Sequence, residues 1–190
     1  MKKIILFAAV ILMSTAAFAQ TWKVNKAHSH FTFTITHLAV SDVDGVFKDF
    51  DATITSSKPD FSDAKVEFVA QTASVNTGVD QRDNHLKSPD FFDAAKYPTV
   101  TFTSTSITPT TANHYKLNGN LTLNGVTKPV TLDLWYRGTI TNPGSKALDA
   151  GFSVTGAVNR SDFKFGSKFG SPMLGDEVSF KASGEFDKAN

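Results

Sequence analysis

A β-barrel built from eight antiparallel strands is the fold this chain predicts, and three observations carry that expectation. Apolar and polar residues alternate with period two through most of the chain, as they do in half-buried strands. Eight such runs follow one another, with turn signals between them and little helical periodicity. Eight strands joined by short connections favour an antiparallel meander, and closure removes the exposed edges that a flat sheet would leave.

The first segment stands apart from the barrel. Lys2 and Lys3 precede an apolar run from Ile4 to Met13, and Ala17-Phe18-Ala19 has the A-x-A form of a cleavage site. Residues 1–19 therefore read as a secretory signal cut after Ala19, which predicts a periplasmic or secreted protein. The run is too short to span a bilayer. No later segment resembles a spanning helix and the chain has no cysteine, so neither stable membrane insertion nor a lipoprotein anchor is expected. Residues 20–190 are then a single domain around one core.

The strands follow in order. Phe31-Thr32-Phe33-Thr34-Ile35-Thr36 alternates ring or branched side chains with hydroxyls, a composition suited to a pleated sheet. The pattern recurs at Val46-Phe50-Ala52-Ile54, Val66-Phe68-Ala70 and Val100-Phe102. It continues at Tyr115-Leu117-Leu121-Leu123, Val130-Leu132-Leu134-Tyr136, Leu148-Ala150-Phe152-Val154 and Val178-Phe180-Ala182. Asn124-Gly125, between two of these runs, is a strong hairpin signal. Asn142-Pro143-Gly144-Ser145 marks another turn. A short helical segment is expected near 79–95, with Asp80 as N-cap and Ser88-Pro89 and Tyr97-Pro98 as stops. Within it the Phe91-Phe92 pair looks exposed, a plug for a barrel mouth. The stretch 162–174 mixes glycines and aromatics without alternation and reads as a loop over a barrel end.

Charge excludes some functions. Loss of Lys2 and Lys3 lowers Lys+Arg from 19 to 17 against 18 Asp+Glu, a mature net charge of −1. Nucleic-acid binding needs a basic face, so no nucleic-acid partner is expected. The catalytic signatures are thin. No Ser lies in a G-x-S-x-G elbow and no phosphate-binding glycine loop is present. His28 and His30 form an H-x-H pair, but zinc needs a third ligand, and His37 falls on the opposite face of an unbroken strand. Neither an enzyme, a metal site nor a cofactor is expected.

The interior carries the functional reading. An eight-stranded barrel is either filled by its side chains or holds one small ligand. Gly119, Gly138, Gly156 and Gly184 fall in register with the inward apolar residues. They either leave space or mark bends where the barrel turns. The chain has 17 phenylalanines, many at inward positions, which form either a plain aromatic core or the wall of a tunnel. The candidate pocket is Phe31, Phe33, Ile35, Phe68, Phe91, Phe92, Phe102, Leu121, Leu134, Phe152, Gly156, Phe163 and Phe180. Arg82, His85 and Arg160 are the head-group candidates. For Arg82 the alternative is a pair with Asp83 or Asp90 that ties down its loop, and for Arg160 a pair with Asp162.

The stretch from Ser74 to Ile107 resembles the signature region of the YceI-like family of secreted bacterial polyisoprenoid- and lipid-binding proteins. Trp22-Lys23-Val24, His28 to Phe33, His37, Gly45-Val46-Phe47, Gly119 to Thr127, Asn159 to Phe163 and Leu174 to Val178 agree in order and spacing. The sequence departs from that pattern at Asn25, usually acidic, and at Lys164, commonly glycine. The resemblance implies a lipocalin-like barrel that sequesters or carries a polyisoprenoid, an isoprenoid quinone or a fatty chain, without chemical conversion. It also adds a homodimer to the expectations. The competing expectation is a packed stress-response or interaction barrel with no lipid ligand.

Overall fold

The computed structural model describes residues 19–189, so residues 1–18 of the predicted signal lie outside the described residues. Eleven strands and one α-helix are described, and the strands form one antiparallel sheet that closes on itself. Three of its eight walls are broken strands. β1 (Gln20–Val24) and β2 (His30–His37) lie end to end across a 3-10 turn at Lys26–His28. β3 (Ser41–Phe47) and β4 (Phe50–Ser56) are separated by Lys48 and Asp49. β5 (Lys65–Gln71) and β6 (Val75–Asn76) flank a 3-10 turn at Thr72–Ser74. The last two breaks adjoin: the Gln71 amide donates to the Asp49 carbonyl at 2.9 Å, and the Lys48 amide to the Ser74 carbonyl at 3.2 Å.

The other five walls are β7 (Thr99–Thr111), β8 (His114–Leu123), β9 (Val126–Thr141), β10 (Leu148–Asn159) and β11 (Leu174–Lys188). β11 closes the ring by pairing with both halves of the first wall, Trp22 opposite Lys188 and Phe33 opposite Phe180. The eight alternating runs thus correspond to eight walls. The short β1 has no alternating run of its own in the sequence reading and completes the first of them. Asn124 and Gly125 both take positive φ, 51° and 72°, as a two-residue hairpin that matches strand twist requires. One seam is incomplete. The β9–β10 ladder stops at Asp133 opposite Thr155, and the remaining residues of both strands pair only with their outer neighbours β8 and β11.

The single α-helix described, α1 (Asp80–Lys87), follows β6. Its N-cap is Val79, not Asp80, which lies in the first turn. The start is fixed instead by Asp83, a buried carboxylate. It accepts from the Thr77 amide at 2.8 Å, the Thr77 hydroxyl at 2.6 Å and the Asn76 side chain at 3.1 Å. Burial opposes ionisation there, but the Thr77 hydroxyl and amide, with Lys87 and Arg82 nearby, outweigh it and hold the carboxyl below its ordinary range.

The barrel has a packed end and a hollow end. At the packed base, Phe61 from the β4–β5 loop is driven into the lumen at 2% exposure. Its ring lies 5.4 Å from Trp22, 4.8 Å from Tyr136 and 4.9 Å from Phe152, centroid to centroid. Asp63 fastens that loop, accepting from the Ser56 hydroxyl at 2.5 Å, the Ser57 amide at 3.1 Å and the Ser57 hydroxyl. Burial raises the Asp63 carboxyl, but these bonds and the Lys58 amide hold it far below the usual carboxylate range. The Tyr115 hydroxyl donates to the Asp60 carbonyl.

Candidate ligand cavity

Above the base the inward side chains meet only in part: the Phe31 ring lies 4.8 Å from Phe68 and 6.1 Å from Phe180, centroid to centroid, and a gap remains beside them. Phe31, Phe33, Ile35, Phe68, Leu121, Val154, Val158, Val178 and Phe180 point inward yet stay partly accessible, because they border an internal space of about 440 Å³. That volume lies within the ~300–1,000 Å³ of small-molecule sites. Residues of β11 from Val178 to Phe186 line it, about 26 Å along the strand and about 20 Å along the axis at the usual tilt. Its lining is almost wholly apolar, with Ile54 and Phe152 at depth and His37 and Met173 near the mouth.

Eleven predicted pocket residues line this space: Phe31, Phe33, Ile35, Phe68, Phe91, Phe92, Phe102, Leu121, Leu134, Phe152 and Phe180. Two do not. Phe163 belongs to the 160–175 segment, in the 3-10 turn that follows β10, and is buried at 1% exposure on the outer side of the barrel. Gly156 is covered: a Cβ there would come within 2.6 Å of Leu132 and 3.0 Å of the tip of the Phe180 ring. The glycines therefore do not open the lumen by leaving bare space. They let rings lie against the wall. The tip of Phe33 covers Gly45, that of Phe102 covers Gly119 and that of Phe180 covers Gly156. Each ring is folded onto a neighbouring strand and kept out of the axis. The other two predicted glycines have separate reasons. Gly138 has φ 116° at the β9–β10 bulge, and Ser29 packs onto Gly184.

A lid of α1, the loop after it and the 160–175 segment covers the upper end. Phe91 and Phe92 are buried at 7% exposure each; the pair is a plug, as expected, but not an exposed one. Phe91 stacks on Phe169 at 5.0 Å with an 8° interplanar angle, and Phe92 meets Phe165 edge-on at 4.6 Å. Arg160, itself buried, holds the segment together. Its Nε donates to the Gly175 carbonyl at 2.7 Å, its Nη1 to Phe165 and Gly166 at 3.1 and 2.9 Å, and its Nη2 to Leu174 at 3.1 Å and to Phe169. A guanidinium has five N–H groups, so no donor is left for a head group, and Asp162 is not its partner. Lys164 follows with φ 54°, which explains why glycine suits that position.

Arg82 does tie its loop, through Thr77 and not through an acidic partner: Nε donates to the Thr77 hydroxyl at 2.7 Å and Nη2 to the Thr77 carbonyl at 3.0 Å. His85 lines the cavity and contacts Asp90 at 3.4 Å, while Lys168 reaches the same carboxylate at 2.5 Å from across the lid. Lys168 and His85 hold the Asp90 carboxyl below its ordinary value. His28, His30 and His37 do not converge. His28 sits in the 3-10 turn, its Nδ1 3.1 Å from Glu185, and His37 faces the mouth. Among the described residues no three His, Asp or Glu side chains form a metal cluster, and no helix is long and apolar enough to cross a membrane. Asn25, at the other departure from the family pattern, caps the 3-10 turn through its bond from the Ala27 amide and donates to Asp187.

Sequence reasoning missed the Phe61 plug, the lining role of Phe186 and the carbonyl cage around Arg160. Phe61 and Arg160 lie in irregular segments, where period-two alternation gives no signal. Phe186 continues the inward register of Val178-Phe180-Ala182, so extending that run by four residues would have found it.

An antiparallel barrel around an apolar lumen defines a lipocalin-like class. Within that class the chain belongs to the YceI-like domain family, whose model matches residues 22–186. It is 40% identical over 176 residues to protein YceI of Escherichia coli O6:H1, covering 90% of this chain and 91% of that one. The crystal structure of the Campylobacter jejuni YCEI protein superimposes with a TM-score of 0.74 at 36% identity, covering 82% of this chain and 91% of that one. A polyisoprenoid binding domain from Saccharophagus degradans shares the fold, with a TM-score of 0.66 at 15% identity over 90% of this chain and 98% of that one.

Proposed function

We propose that this protein binds one long apolar chain in its lumen and carries or sequesters it in the periplasm or outside the cell, without converting it. The observation that carries the reading is the continuous apolar space of about 440 Å³ walled by phenylalanines. A packed interaction barrel would have no use for it. At about 1.2 Å per bond for an extended chain, a depth of about 20 Å takes some sixteen bonds. Burial at about 0.8 kcal/mol per methylene then gives roughly 13 kcal/mol before association costs, which run to ~4–15 kcal/mol. Longer chains fold back or project. The ligand class, a polyisoprenoid or a similar lipid, rests on the family and on the function named for the S. degradans domain. The basic, apolar and A-x-A segments of residues 1–19 support the exported location.

A blocking substitution tests the reading. Ala182 lines the lumen midway along β11, so Ala182→Trp should fill it. Binding of an isoprenoid quinone, followed by fluorescence titration, should then fall by more than about tenfold, ~1.4 kcal/mol, while the far-ultraviolet circular dichroism is retained. A folded variant that binds as the parent does removes the lumen as the site.

A further inference from the structure

The barrel wall itself is open on one side. Past Asp133 and Thr155 the β9–β10 ladder ends, and Pro129, which has no N–H to offer, lies in the unpaired stretch of β9. If the register continued, Val130 would face Val158. These two valines line the internal cavity and also an outer groove of about 310 Å³. Two half-buried valines thus border both spaces, with the buried Phe163 beside them on the outer side. The groove is polar, bordered by Lys128, Thr131, Asn159, Asp162 and Glu177. Among the described residues none of its three charged groups is in an ion pair. At the lid the Arg160 donors are all engaged and Lys168 and His85 are drawn to Asp90, while Arg82, which lines the cavity, commits its Nε and one Nη2 donor to Thr77.

We propose that the open seam between β9 and β10 is a lateral portal, through which an amphiphile threads its chain between Val130 and Val158 while its head rests in the outer groove. The proposal rests on the carrier reading above and adds the route and the head-group class. The groove carries one ammonium and two carboxylates, with an amide and a hydroxyl. That set repels a phosphate or a carboxylate head and suits a neutral hydrogen-bonding one, an alcohol, amide or carbonyl. The unpaired backbone of both strand ends supplies further donors and acceptors.

Stopped-flow fluorescence with a long-chain polyene fatty alcohol, and with the matching fatty acid, tests both parts. Val130 and Val158 also border the lumen, so their substitution changes affinity as well, and the portal is read from association, which a residue that only walls the site leaves alone. Val130→Trp and Val158→Trp should each slow association by about tenfold, an added barrier of ~1.4 kcal/mol. Val130→Ala should speed it. The alcohol should bind more tightly than the acid at neutral pH, and Glu177→Gln should narrow that gap. Unchanged association rates in all three valine variants, with the parent protein still binding, would overturn the portal and leave the carrier reading standing. Tighter binding of the acid would overturn the neutral-head assignment. A parent protein that binds neither probe would overturn the carrier reading itself.

Discussion

The two ends of this barrel are made of the same alternating strands and differ in what fills them. At the base, Phe61 comes down from a loop and packs among Trp22, Tyr136 and Phe152. Higher up, the tips of Phe33, Phe102 and Phe180 cover glycines of the neighbouring strand and an internal space remains. Alternation decides which face turns inward, and it does so equally at both ends. Whether the interior is then solid or hollow depends on contacts between distant parts of the chain. A buried ring at the base supports the fold, whereas a ring lining the lumen is half unsupported and available to a ligand.

The largest contrast should come from truncating one ring in each half. Phe61→Ala should cost about 3–5 kcal/mol, since it leaves a closed void in a packed site, whereas Phe68→Ala should cost clearly less because that ring, though packed on Phe31 and Phe50, already borders open space. Denaturant melts of the two variants measure the difference, and equal losses would break the distinction between the halves. Next in size is Arg160→Met. It strips five carbonyls of their shared donor, and buried carbonyls left unpaired cost about 1–3 kcal/mol each where water cannot replace the bond. We expect faster hydrogen exchange across 160–175, with β7 to β9 still protected. Arg160→Lys should not rescue it, because an ammonium cannot reach the same set of carbonyls.

A smaller effect sharpens the role of the glycines. Gly156→Ala should push Leu132 and the tip of Phe180 off the wall, at a cost of about 1–3 kcal/mol of stability, the usual scale of overpacking. Adding Leu132→Ala, which removes the closest contact, should restore part of that loss, and denaturant melts of the single and double variants would reveal the coupling. The smallest effect is on acid stability. Asp63 at the base and Asp83 at the lid both have carboxyls held below their unfolded value, near ~3.9 for aspartate. Their ionised forms stabilise the fold above that value, and the contribution is lost as the pH falls toward the folded value. Asp63→Asn should flatten the loss of thermal stability between about pH 4 and pH 2. Asp83→Asn should act chiefly on hydrogen exchange in α1.

Much of this architecture is legible in the chain. The period-two runs locate the walls, Asn124-Gly125 specifies its hairpin, and the inward Phe positions name most of the lumen. The covered state of Gly156 was not legible, because it depends on Phe180 lying directly opposite across the β10–β11 register. Nor was the Phe61 plug, which an irregular loop delivers to residues 39 and 75 to 91 positions away. Arg160 misleads for a related reason. An arginine near a mouth suggests an anion, whereas its five carbonyl partners come from a loop whose path no local pattern encodes. The open seam leaves one local mark, Pro129 in an otherwise regular strand.

The most direct test of the hollow half is native mass spectrometry of residues 20–190, purified from an exported fraction without detergent and then extracted with organic solvent. A stoichiometric apolar species should accompany the protein and be released by the solvent, and its mass would identify the chain. A clean unliganded mass that stays unchanged after an isoprenoid quinone and a prenyl phosphate are added would contradict the account.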